Sequence, residues 1–586
     1  MKIESNLQKF NTQRLADNRQ ERPAIIKSGS TIIPGISSNN KSNPNFTGWG
    51  DLFLRFLDTN QAWGATFVDL GFMVIPRTVT DFTRNTDAGI ETMRREGTGN
   101  ANHAMIGLYG TLAGLLFATG INHAYKLGKN DVKASAIFAD SETINMYGKI
   151  YQNALREFNQ NPAKDPMTAY LKETLRNYEA LSPDKNAQWI RFSDQSVNQA
   201  AELLEKEIQS NNKKLSKDVF NQIRGILVAD SRVENNYRII AQPGEKLHSS
   251  RYSIESIIDN IFNLGKVFNK DTVKEAFANA ENAVKNAAAA AEPTAQNAFL
   301  KALKSMNLKR SLLGIGIASA IGVSAQPLNM YLTKLKTGKS GFVGGGEEDK
   351  SNAFKVRKGT VAALFGAGVL ATIGNPKNLL KNLQFKGLSP TINQFKFIYG
   401  ITIMSRFLSA RNDNELKEAS FKDILGFANW LLLGNFVQKL VAQSLDKSLI
   451  KRDGTGVLNW IKNSALKTRD EVLFDSLGSK AFDKNGKVLP YEKMVAIAND
   501  TAKTKLKYIK IAQVAGYLYS GLVLGIGIPR LNIYLTNRRM KKQKEAQLAA
   551  VQNQPQGNSS AGNMLKPENL AFLNKMNNFT GSTILK

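Results

Sequence analysis

Four stretches of the chain contain no Asp, Glu, Lys or Arg and are long enough, as helices, to cross a bilayer. They run over residues 97–125 (29 residues), 311–333 (23), 359–376 (18) and 511–529 (19). At about 1.5 Å per residue such helices reach about 27 Å or more, close to the ~30 Å hydrocarbon thickness. A helix that is apolar all round can also be buried in a large soluble protein. Glycine argues for lipid, because inside a water-soluble helix each glycine costs about 1 kcal/mol. Here Gly110 and Gly114 stand four apart, as do Gly521 and Gly525, and Gly314, Ala318 and Gly322 continue the spacing. Small residues at that interval let helices approach closely in a membrane.

Three weaker segments extend the set: 397–410, interrupted by Arg406; 424–438, with 15 uncharged residues; and 62–76, with Asp69 in its middle. The expected fold is therefore all-α, a polytopic bundle of five to seven spans with an inserted soluble helical domain. The boundaries read as a disordered tail over 1–50, a membrane hairpin over 51–127 and a soluble helical domain over 128–308. Membrane helices follow over 309–446, a small polar insert over 447–507, a final membrane helix over 508–540 and a disordered basic tail over 541–586. Within 129–308, Ser and Asp precede periodic apolar runs, as at Ser193 and Asp271, and no strand ladder is evident.

One phrase is written twice. PLNMYLTK, from Pro327, and PRLNIYLTN, from Pro529, each end a long apolar run. Tyr331 and Tyr534 followed by cations match the chemistry of a helix leaving a bilayer, so these prolines and tyrosines are expected as interfacial anchors. A fainter relative, IPRTVTDFTRN, follows Asp69. AGLLFATGIN at 113–122 resembles AGVLATIGN at 367–375, which suggests a duplicated helical hairpin.

Charge is uneven. Residues 1–308 hold 37 Lys and Arg against 32 Asp and Glu, whereas residues 309–586 hold 41 against 17. Basic groups beside oily helices point to anionic lipid headgroups as a partner. No aromatic-studded basic face accompanies them, so nucleic-acid binding is not expected. Cysteine is absent and His103, His123 and His248 are scattered, so no metal or other cofactor is expected.

Apparent motifs dissolve on inspection. TGKSG at 337–341 lacks the leading glycine of a phosphate-binding loop. DKNGKVLPYE from Asp483 lacks the first carboxylate of a calcium loop, and Asn485-Gly486 reads as a hairpin turn. GGGEED at 344–349 reads as a connector, and the two NFTG copies, at 45–48 and 578–581, as features of Asn-rich tails. No nucleophile, base and orienting group assemble, so an enzyme is not expected.

Ionisable groups at membrane depth tend to persist where something uses them. Asp69 either turns to water on an interfacial helix or serves an ion or proton path. Arg406 is expected near a helix end, reaching for water, and His103 at an interface. The expected role is a non-enzymatic scaffold in a bacterial cell membrane, binding a protein partner through its soluble domain or tails. The alternative is a transporter or channel using Asp69 and the proline-interrupted helices; a secreted membrane-inserting effector or pore-former is a second. The discriminating feature is polarity inside the bundle, which a transporter needs and a scaffold does not.

Overall fold

The computed structural model describes residues 50–552 apart from 51–52, 56, 58–60, 130, 133–138, 182–188, 211–213, 234–238, 242–250, 287–291, 339–347, 375, 388–389, 429–435, 452–455, 457–459, 461–463 and 484–487. Both NFTG copies, most of the GGGEED connector and the alanine run before Pro293 lie outside the described residues.

The membrane-type part is a set of long helices. The first is α1 (Gln61–Asp69), a π-helical stretch (Leu70–Val74) and α2 (Ile75–Phe82) in unbroken succession. After Asn85, whose side chain accepts the Ala88 amide as a cap, α3 runs over Thr86–Ala124. The intervening helical domain, the one expected to be soluble, contains α4 (Ser141–Gln160), α5 (Pro166–Arg176), α6 (Asp194–Gln209), α7 (Lys217–Ser231), α8 (Ile254–Phe268) and α9 (Asp271–Lys285). Then follow α10 (Ala298–Thr337), α11 (Asn352–Ile373), α12 (Ile392–Leu408), α13 (Asp413–Phe427) and α14 (Phe436–Leu445). After the insert, with α15 (Arg469–Leu477) and α16 (Tyr491–Ile497), come α17 (Asp500–Tyr519), a second π-helical stretch (Ser520–Gly527) and α18 (Ile528–Gln552). The last helix thus continues past 540, where a tail was expected.

Side-chain contacts fix directions. Asp69 meets Asn100 and Asp81 meets Thr92, so α1–α2 runs against α3. Asn329 reaches Glu91, Asn102 reaches Ala318 and Arg310 reaches Gly110, so α10 also opposes α3. Likewise α12 opposes α11 through Lys358 to Ala410 and Lys396 to Thr372. Asn532 meets Glu418 from α18 onto α13, and Lys505 meets Asp446. This alternation places the helical region between α3 and α10 and the insert at one end of the bundle, with residues 83–85, 348–351 and 409–412 at the other.

Four of these helices are long and apolar enough to cross a membrane: Thr86–Ala124, Ala298–Thr337, Asn352–Ile373 and Asp500–Lys542. In their most apolar windows between 17% and 39% of residues are buried, so most of that surface faces outward. Its exposed members form a belt: Met93 to Leu116 on α3, Leu312 to Leu335 on α10 and Ile511 to Tyr534 on α17–α18. Each spans about 35 Å of helix, a bilayer's depth. Gly110 and Gly314 touch inside it; a Cβ on Gly314 would lie 2.9 Å from the Gly110 Cα, which explains the small-residue spacing.

In the soluble domain Tyr151, Tyr170, Phe268 and Phe277 form an aromatic core of mostly edge-to-face pairs. Strands of two or three residues, in the order β2-β1-β3-β4 (Trp189–Arg191, Glu179–Leu181, Ile239–Ile240 and Arg251–Tyr252), make a small antiparallel sheet that the sequence did not announce. Strands that short carry too few residues for a period-two pattern. In the insert, Ile450–Lys451 pairs antiparallel with Ala465–Leu466 as β5 and β6, and Phe482 bridges Val488; the expected Asn485-Gly486 turn lies outside the described residues.

Asp470, on α15, ties the pieces together. Its carboxylate accepts from Arg55 at 2.8 and 2.9 Å and from Arg224 at 3.5 Å, joining the N-terminal segment, the soluble domain and the insert. Burial pushes the Asp470 carboxyl up, but the Arg55, Arg224 and Arg469 guanidinium groups outweigh it and hold the group below its ordinary value. A depressed folded-state value gives stability that is present above the unfolded carboxylate range and is lost as pH falls through the folded one. Asp470→Asn is therefore expected to lower stability at neutral pH by about 3 kcal/mol and to flatten the acid limb of the stability curve, as read by thermal unfolding against pH in detergent. Gly314→Val is expected to lower the melting temperature by forcing α3 and α10 apart, and Gly316→Val, where open space awaits a Cβ, to leave it nearly unchanged.

Candidate polar site between two helical repeats

The echoed phrase performs the same work twice. The Asn329 amide donates to the Glu91 carbonyl at 3.2 Å, and the Asn532 amide donates to the Glu418 carbonyl at 3.0 Å. Four residues on, Thr333 accepts from Arg94 and Thr536 donates to the Glu418 carboxylate, and all four side chains are buried. The correspondence extends to the partner helices. Arg84-Asn85 opens α3 and Arg411-Asn412 opens α13, with both asparagines as caps. Glu91 and Glu418 each follow six residues after the cap, then Arg95-Glu96 and Lys422-Asp423, then Gly99 and Gly426.

The copies are thus three-helix units. One comprises α1–α2, α3 and α10; the other comprises α12, α13 with α14, and α17–α18. This differs from the hairpin duplication expected from AGLLFATGIN and AGVLATIGN, since the helix carrying the latter, α11, packs outside both copies, on α12. In each copy the third helix lies on its own second helix and on the first helix of the other copy: Ser405 of α12 donates to Val323 of α10, and a Cβ on Gly525 would lie 2.6 Å from the Phe72 carbonyl. Both first helices run against α3, so the two copies point the same way.

Between them lies a buried network of charge. Glu96 sits 3.2 Å from Arg406, 3.4 Å from Arg95, 3.6 Å from Lys422 and 3.8 Å from Arg77. Arg406 also pairs with Asp423 at 3.1 Å, where both side chains are at most 6% exposed. Arg84 of the first copy pairs with Glu418 of the second at 3.3 Å, and Arg411 of the second acts on Glu91 of the first. The ion pairs therefore cross between copies in both directions. Their cost explains their number, since each ion taken from water costs several kcal/mol and is tolerated only when well paired.

A cavity of about 40 Å³ opens onto this network, bounded by residues of α2, α3, α10, α12, α13 and α18. Room of that size takes a few waters or one small ion. Among the described residues the Arg77 Nη2, Glu91 Oε2, Asp423 Oδ2 and Asn532 Oδ1 atoms, all from residues lining it, make no hydrogen bond to protein. Charged groups of both copies share the lining with Ala410, Ala419, Pro529 and Ile533, and they can solvate a hydrophilic guest.

Each residue singled out in the sequence now has a place. Asp69 is 5% exposed and accepts from Asn100 at 2.9 Å, so it does not turn to water. Arg406, expected to reach for water at a helix end, is instead locked between Glu96 and Asp423. His103, expected at an interface, is buried against the Phe395 and Tyr399 rings. Tyr331 and Tyr534 are 58% and 61% exposed on the belt. Pro327 and Pro529, however, do not mark helix ends, because α10 continues to Thr337 and α18 to Gln552. The sequence reading missed Arg77, Glu91, Glu96, Glu418 and Asp423. The signal that finds them is the repeated Arg-Asn cap followed by Glu and then by a basic-acidic pair.

A double-mutant cycle on Arg406→Met and Asp423→Leu is expected to return a coupling of about 1–3 kcal/mol in detergent unfolding, against near zero for surface pairs such as Lys149 and Glu292.

No family model, curated protein or solved structure matches the chain.

Proposed function

We propose that this is a seven-crossing membrane protein that conducts a small hydrophilic species, an ion or a hydrated proton, through the polar interface between its two repeats. The observation that carries this reading is the charged network, contributed by both copies, around a cavity at membrane depth. Taking the belt edge at Met93, Glu96 lies about 5 Å and Asn100 about 10 Å inside it. Parallel repeats with a site at their interface are a recurrent transporter plan. The gathering of Asp69, Arg77, Glu96, Arg406 and Asp423 favours conduction over a scaffold, whose membrane part needs no such groups.

The crossings are α1–α2, α3, α10, α11, α12, α13–α14 and α17–α18. The soluble domain and the insert lie on one side of the bilayer, and the short connectors and the C-terminal helix on the other. Arg538, Arg539 and Lys541, beyond exposed Tyr534, suit anionic headgroups on that second side. A second reading, a scaffold binding a protein, draws support from a groove of about 950 Å³ between α4 and α5, lined by Glu142, Lys149, Glu157, Lys172 and Arg176 among others.

The natural lack of cysteine makes topology directly testable. Single cysteines at Glu157 or Lys480 are expected to react with a membrane-impermeant maleimide from one side, and those at Lys336 or Lys541 from the other. Labelling of all four from one side overturns the arrangement. Purified protein in liposomes is expected to raise proton, sodium or chloride flux above protein-free vesicles, and Arg406→Met to abolish the gain. No flux of any of the three removes the conduction reading.

A further inference from the structure

Asp69 differs from the ion-paired carboxylates that lie between the two copies. Glu96 has four cations within 4 Å, Asp423 has Arg406 and Glu418 has Arg84. Asp69 is as deeply buried, yet among the described residues no Lys, Arg or His nitrogen lies within ion-pair distance of it. Its hydrogen-bond donor is neutral: the Asn100 amide donates to Oδ2 at 2.9 Å while also donating to the Thr66 carbonyl at 3.1 Å. By the Asn100 level it stands about 7 Å from the middle of the apolar belt, which runs from Met93 to Leu116 on α3. A carboxylate cannot persist there without a counter-charge, whereas a neutral carboxylic acid can.

The backbone adds a second, independent observation. Asp69 immediately precedes the π-helical stretch Leu70–Val74, and such wide turns are frequent at functional sites because they release carbonyl groups from the regular ladder. That stretch packs on the other π-helical segment, where Gly525 leaves room for the Phe72 carbonyl and a Cβ on Gly521 would lie 3.3 Å from the Phe72 ring. Charged and titratable groups face Asp69 from each packed element: Arg77 further along its own helix, Glu96 on α3, and Arg406 and Tyr399 on α12.

We propose that Asp69 is a proton-binding carboxyl, and, resting on the conduction reading, that the proton is the species conducted. A hydronium gives its proton to the free Oδ1, forming an O–H bond and leaving water. The neutral acid then holds no unpaired charge in the belt until a water reached through the Glu96–Arg406–Asp423 network takes the proton back. Oδ2 keeps the Asn100 hydrogen bond in both states, so Asn100 positions the group without titrating.

Dicyclohexylcarbodiimide tests the binding step, since it adds to a protonated carboxyl in an apolar setting and leaves a stable acylurea. The full-length protein in liposomes is expected to gain one adduct, mapped by peptide mass to Asp69, at a rate that falls at least tenfold as pH rises from about 5 to about 9. Asp69→Asn, which preserves the shape and the acceptor for Asn100, is expected to abolish the adduct and keep the melting temperature, while Asp69→Glu keeps both. Adducts elsewhere with none on Asp69, or labelling independent of pH, overturns the proposal. For conduction, Asp69→Asn is expected to lower proton flux at least tenfold; equal proton flux in the variant removes Asp69 from the route. An adduct on Asp69 in a protein that moves no proton leaves the binding site standing and overturns the proton as the species conducted; absence of sodium and chloride flux as well removes the conduction reading.

Discussion

A carboxylate within the apolar belt cannot be left to itself, and Glu96 is the group around which the bundle answers that constraint. It draws Arg406 from α12, Lys422 from α13 and Arg77 from α2 onto α3, so four helices must meet at one level. Apolar packing in lipid gives little preference for one helix neighbour over another, because the tails are as oily as the side chains. Ion pairs with so few partners available are selective. They choose which helices are adjacent, and the glycine contacts, such as Gly110 on Gly314, then set how closely those helices approach.

What the sequence disclosed follows from the same physics. Length, absence of charge and small residues at four-residue spacing are properties of single helices, and they located α3, α10, α11 and α17–α18. The charge network is a property of helices brought together. Searching for charge-free runs trimmed it away: the runs began at Gly97 and Ile424, one residue after Glu96 and Asp423. Arg406 was read as a snorkelling end because its partners lie 310 and 17 residues away in the chain. The prolines misled for a local reason. Pro529 is the second residue of a helical segment entered through a π-helical turn, and Pro327 sits inside α10, where the flanking helix holds the backbone in place.

The echoed phrase was legible as a repetition but not as a lock. Its tyrosines face outward, where anchors are expected, while its asparagines face inward and fasten a neighbouring helix through a carbonyl six residues past that helix's cap. A headgroup-level signature and a packing signature are thus superimposed on one face-alternating segment. The two can be separated only when the partner helix is known, since nothing in PLNMYLT says which carbonyl Asn329 will find.

The two copies also show where the molecule departs from its own symmetry. At the spacing that aligns Arg84 with Arg411 and Glu91 with Glu418, Asp69 aligns with Lys396, which donates to the Thr372 carbonyl of α11 at 3.2 Å. A carboxylate in one copy thus faces the role of an ammonium in the other. Close to that place the first copy has its π-helical turn, and Arg77 and Arg406 no longer fall at matching positions. Arg406 reaches both Glu96 and Asp423, whereas Arg77 stands 3.8 Å from Glu96. A bundle held by symmetric locks at the Glu91 and Glu418 level and made asymmetric two turns deeper has a rigid rim and an unequal interior.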